Sequence, residues 1–208
     1  MPSGYAAAAA WAIAVILSLS GWRRELTEGL PRFAVIGYLA GWPFFSRLLV
    51  PVPLLGYETA VGASLLWTAA FAIVAAGSLG AAKSGTSCAA GVLIGSAALF
   101  TDRVSEALPS LLPASALWVS SAIIAVIAAL LSRGAAEQIV TLTIGLTLTE
   151  AVSALWDLHT IGQALIGTLA WSDRWWLAYL EIRVFTVAAS WLPLLVRRSQ
   201  WRRGGERS

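Results

Sequence analysis

Four ionisable side chains fall inside stretches of chain that are otherwise apolar: Arg47, Glu150, Glu181 and Arg183. A charge in hydrocarbon costs about 2.5–3.5 kcal/mol on insertion scales, so each must meet a counter-charge or a wet cavity. Two chemistries follow from two carboxylates and two guanidiniums. They neutralise one another as ion pairs that fix helix register, or they line a polar site that takes up a small solute or a proton. Thr143, Thr147, Glu150 and Asp157 recur at steps of four, three and seven, which puts them on one helical stripe. Glu181 and Arg183 are two apart, about 200° around a helix, and so face different neighbours. The pairs expected from this pattern are Glu150 with Arg47 or with Arg183.

Asp157 lies close to His159, the sole histidine. A carboxylate and an imidazole near a helix end suit a proton relay or a metal. One histidine makes a poor zinc site, however, and a solvated loop histidine fits the pattern as well, so no metal ligand is assigned. Asp102, Arg103, Glu106, Asp173 and Arg174 fall just above the level of the buried charges. The chain has no Walker A, GxSxG or HExxH sequence. Its single cysteine, Cys88, is far along the chain from His159 and at the opposite expected face, which argues against a Cys–His nucleophile pair. One Cys leaves no disulfide framework and no cysteine-based metal site. No lysine falls in mid-helix, so a retinal Schiff base is excluded. No catalytic residue and no cofactor are expected.

The elements that must position these groups follow from composition. Of 208 residues, 58% are apolar and 12% charged, against roughly 45–50% and ~25% in soluble domains. So few charges cannot cover a water-soluble surface, and such hydrophobicity excludes disorder. About 20 apolar residues span a bilayer core. Seven segments qualify, 4–22, 33–51, 59–80, 85–101, 114–132, 138–157 and 176–196, in one transmembrane helical domain over 1–196 with a basic tail over 197–208. The expected fold class is therefore all-α, a polytopic bundle of about seven spans.

Orientation comes from the basic residues, 13 Arg and Lys83. Arg23, Arg24, Arg32, Lys83, Arg133 and the tail arginines fall on one side of an odd-span topology; Arg103 and Arg174 fall on the other, with Arg47 near an outer helix end. Basic residues favour the cytoplasmic side, which gives N-terminus outside and C-terminus inside. The first segment lacks a preceding positive charge and is followed by Arg23 and Arg24, so it reads as a retained span rather than a signal peptide. A pI near 9.5 is explained by these loops and by the tail, which suits anionic headgroups, and does not call for nucleic acid. In this topology all four buried charges fall in the outer half. Residues 160–171, apolar but too short to span, are expected outside, interfacial or re-entrant.

Trp118, Trp156, Trp171, Trp175 and Trp176 are expected as outer headgroup anchors, and Trp22 and Trp201 as inner ones. Trp42, Trp67 and Trp191 fall deeper, as packing residues. Gly37/Gly41 and Gly91/Gly95 are GxxxG pairs, whose small residues let another helix approach, within this bundle or in a partner or homodimer. Pro43 removes a backbone bond inside the second segment, and a kink is expected there.

Gly21-Trp22-Arg23, Gly41-Trp42 through Ser46-Arg47, and Asp173-Arg174-Trp175-Trp176-Leu177 resemble short stretches of the YphA-like family of small bacterial multi-pass membrane proteins. The resemblance implies residence in the bacterial cytoplasmic membrane, and it carries no activity and no site. Three functions compete. The first is a non-enzymatic membrane protein with an outward-facing charged site for solute binding, transport or sensing. The second is an accessory or scaffold subunit whose buried charges are structural. The third, a lipid-directed enzyme using Glu150 or Asp157, lacks a nucleophile or metal to accompany them.

Overall fold

The computed structural model describes residues 2–52, 58–108 and 116–204, with side chains described to Ser190 apart from those of Glu58, Ala116 and Ile161. The described chain is mostly helical. Its helices are α1 (Tyr5–Leu19), α2 (Arg23–Thr27), α3 (Arg32–Phe45), α4 (Ala63–Leu79), α5 (Ala81–Ala107), α6 (Ala116–Leu131), α7 (Ala135–Ile161) and α8 (Leu169–Gly204). Among the described residues α5 and α7 are long and apolar enough to cross a membrane, while α1, α4 and α6 are shorter apolar helices.

Seven of the helices alternate in direction. The starts of α1, α4, α6 and α8 and the finishes of α3, α5 and α7 gather at one end, as contacts there show. Asp173 of α8 accepts from the backbone N–H groups of Gly4 and Ala7 at 2.6 Å each. Asp102 of α5 meets Arg174 of α8. The same end carries three strands that an all-helical reading does not anticipate: β1 (Leu49–Pro51), β2 (Glu58–Gly62) and β3 (Gln163–Ile166). β1 and β2 are antiparallel with Val50 opposite Val61; β2 and β3 are parallel with Thr59 opposite Ala164. Pro51 is tolerated because β1 is an edge strand.

The sheet explains where sequence boundaries and structure part. The expected segment 33–51 is helix only to Phe45, and its last residues are β1. Residues 160–171, expected as an interfacial or re-entrant piece, comprise the end of α7, β3 and the start of α8. The last helix begins at Leu169 rather than 176. It can include Asp173 and Arg174 because both are satisfied there, the first as the cap of α1 and the second by Asp102.

The core is aromatic at its centre. Tyr38 stacks on Phe71 at 4.2 Å, and Trp42, Trp175 and Trp176 close around them. Trp171, Trp175 and Trp176 are thus buried core residues and not headgroup anchors; Trp118, Trp156 and Trp22 are exposed. Trp191 and Trp201 lie outside the residues with described side chains. Helix α3 runs through Pro43, whose missing N–H frees the carbonyl four residues back. That carbonyl, on Leu39, accepts the Trp11 indole N–H at 2.9 Å, so the proline ties α3 to α1.

The two GxxxG pairs have different fates. Gly91 and Gly95 pack on Gly145 of α7, parallel to α5. A Cβ at Gly95 would lie 2.7 Å from the Gly145 carbonyl oxygen, and one at Gly145 would lie 2.8 Å from that of Gly91. Thr141 and Thr149 of α7 cross the seam to donate to the carbonyls of Ser87 and Gly95. In α3, Gly41 receives the Trp67 ring, whereas Gly37 faces open space.

Candidate functional site

Glu150 projects from α7 at the sheet end, half-buried, into a cavity of about 190 Å³ that Asp102, Ser153, Trp171 and Arg174 also line. A neighbouring cavity of about 280 Å³ shares Asp102, Ser153 and Arg174 and adds Arg103, Glu106 and Ser120. The two form one polar region walled by α5, α6, α7 and α8. Its order is set by a fork: Arg174 Nη1 and Nη2 donate to Asp102 Oδ2 and Oδ1 at 2.7 and 3.0 Å. A two-point guanidinium–carboxylate contact of this kind is directional as well as strong. Arg103 pairs with Glu106 at 2.9 Å and rests over the exposed Trp156 ring at 5.4 Å.

The charge balance singles out Glu150. Two arginines and two carboxylates of the region neutralise each other in these pairs. Glu150 is the carboxylate left over, and among the described residues it forms no ion pair. Beside it the indole N–H of Trp171, buried, has no acceptor among the described residues. The Glu150 carboxylate and Ser153 therefore line one small space beside the paired Arg174. Such a set can hold a small polar molecule that presents a cation or a donor to Glu150.

The expected partners of Glu150 are elsewhere. Arg183 is buried near the start of α7, where Nη1 donates to Gln138 Oε1 at 3.0 Å. Its Nε donates to the Glu25 backbone carbonyl at 2.7 Å, and Nη2 reaches the same oxygen. Gln138 is twelve residues before Glu150, ~18 Å along the helix, so Arg183 and Glu150 occupy opposite ends. Arg47 is exposed in the turn between α3 and β1 and makes no ion pair among the described residues. The shared outer layer of four charges is therefore not formed. Counting depth from Trp176 misplaces Arg183, because α8 begins seven residues earlier.

Glu181 faces α6, as the phase argument requires of one member of its pair. Its Oε1 accepts the Ser121 hydroxyl at 3.2 Å, and its Oε2 is buried without a partner among the described residues. The polar stripe of α7 runs from a buried Thr143, which accepts the Trp175 indole at 3.1 Å, through Thr147 and Glu150 to an exposed Asp157. His159 is exposed beyond it. Among the described residues no three of His, Cys, Asp and Glu gather as a metal site would need.

Sequence reasoning missed Arg174 as the basic neighbour of Glu150, Asp173 as the cap of α1 and Gln138 as the holder of Arg183. The usable signal was the run Asp173-Arg174 directly before an aromatic stretch, which reads as a loop until the helix is known to include it. Compared with known proteins, the chain matches no family model, no curated protein and no solved structure.

Proposed function

We propose that the chain is a multi-pass protein of the bacterial cytoplasmic membrane, about seven spans with N-terminus outside and C-terminus inside, that binds a small polar solute in the cavity around Glu150. It acts without catalysing a reaction, as the binding component of a transport or sensing event. The resemblance to the YphA-like family adds membrane residence to this reading and nothing to the site.

One observation carries it: a carboxylate left over after its neighbours have paired, facing a cavity that Ser153 and Arg174 also line. A purely structural ion-pair network would pair its acid. The alternation of the helices supports the topology, since Arg23, Arg24, Arg32, Lys83 and Arg133 gather opposite the sheet. The accessory-subunit alternative loses its better docking face, because Gly91 and Gly95 are already covered by α7.

The test uses thiol labelling in intact cells. In a Cys88→Ser background, Ser153→Cys is expected to react with a membrane-impermeant maleimide added outside, at a rate within about tenfold of an exposed Thr160→Cys control. Labelling of the control without Ser153→Cys would mean a dry contact and would overturn the reading.

A further inference from the structure

A third cavity, about 460 Å³, lies at the end opposite the sheet, in the turn between α1 and α3. Arg23, Arg24 and Arg32 line it, with Glu28 as its one acid. Among the described residues none of these three guanidiniums forms an ion pair. Glu25, the other carboxylate of the segment, does not line the cavity, and its Oε2 is buried. The lining therefore carries three positive charges against one negative.

The cavity is held in shape by the rest of the fold. Gly21 and Gly29 turn the chain at φ +94° and +81°, the left-handed region that other residues avoid. Between them α2 is tied to α8: Tyr179 donates its hydroxyl to the Leu26 carbonyl, and Arg183 donates to that of Glu25. The buried arginine of the core thus positions the loop that displays the three others. Around the rim the surface is apolar and exposed, through Ile16 and Leu19 of α1, Trp22, and Phe33 and Ile36 of α3. Gly37, one turn beyond Phe33, leaves open space there. A cationic hollow bordered by two oily helix faces matches an amphiphile with a negative head.

We propose that this cavity binds the phosphate headgroup of an anionic phospholipid. Arg23, Arg24 and Arg32 grip the phosphate oxygens, and the acyl chains lie along Leu19, Phe33 and Ile36. Planar guanidiniums suit phosphate because each offers paired donors. The site rests on the membrane reading above and is separate from the basic tail.

The protein, purified in a neutral detergent, is titrated with short-chain phosphatidylglycerol, with phosphatidylcholine of the same chain length and with inorganic phosphate, and the melting temperature is followed. Phosphatidylglycerol is expected to stabilise at a concentration at least tenfold below the other two. In Arg23→Gln/Arg24→Gln/Arg32→Gln the apparent affinity falls roughly 100-fold, three contacts at about 1 kcal/mol each. Arg197→Gln/Arg198→Gln/Arg202→Gln/Arg203→Gln leaves it within threefold. Should the triple variant fail to fold, the single exposed Arg32→Gln is expected to lose roughly fivefold, and Arg32→Lys to recover part of that. Equal stabilisation by phosphatidylcholine, or unchanged affinity on removal of the arginines, overturns the proposal. An equal response to inorganic phosphate overturns it in favour of a free anion. Recovery of the protein from the soluble fraction removes the membrane reading itself, before any lipid is added.

Discussion

At the scale of single residues, the Asp102–Arg174 fork and the lone Glu150 obey opposite rules. Each partner of the fork is about a quarter exposed, so removing one leaves the other only partly hydrated. Asp102→Asn is expected to destabilise by about 1–3 kcal/mol, the range for a charged hydrogen bond broken on one side. Adding Arg174→Gln to it recovers part of the loss, and the double-mutant cycle by thermal melting measures the coupling. Glu150 has no such partner, so Glu150→Gln keeps the fold within about 0.5 kcal/mol, as expected where no specific contact is removed. A melting loss for Glu150→Gln as large as that for Asp102→Asn would mark Glu150 as structural. Glu150 was legible in the sequence as an acid stranded among apolar residues. Its basic neighbour was not. Hydropathy marks where an apolar run starts, whereas α8 starts at Leu169, because Asp173 and Arg174 find partners on α1 and α5 that no local pattern reveals.

At the scale of helices, one motif does two jobs, and only the neighbour tells them apart. Gly91 and Gly95 lie on a seam where α5 and α7 meet backbone to backbone, stitched by Thr141 and Thr149. Gly95→Leu forces the helices apart, since even its first carbon would come within 2.7 Å of a carbonyl oxygen. The expected cost is about 1–3 kcal/mol or more, as for overpacking elsewhere. Gly37→Ala fills empty space and gains helix propensity, with an expected stabilisation of up to ~1 kcal/mol. Melting curves of the two variants should move in opposite directions; movement in the same direction would refute the seam. The helices themselves were readable from composition. The three strands were not, because β1, β2 and β3 are short and the pairing of β2 with β3 joins segments about a hundred residues apart.

At the scale of the whole molecule, the alternation of the long helices and the side on which basic residues gather are independent observations, and both are compatible with the proposed topology. Helix direction is fixed by contacts such as Gly4 with Asp173 and Glu25 with Arg183. The positive-inside tendency depends only on the loops. Neither needs the other, and under the proposed membrane reading the alternation sorts the loops into two ends while the basic residues mark the end opposite the sheet and the Glu150 cavity as the cytoplasmic one. Truncated fusions test this directly. A reporter that is active only outside the cell is expected to be active when joined after Ala107 or Gly162 and inactive after Leu79 or Ser132. A reporter that fluoresces only in the cytoplasm should show the reverse order. Activity of the same sign at Ala107 and Ser132 would mean that α6 does not cross. The Glu150 cavity would then lose one of its four walls, and with it the exterior access that solute binding requires.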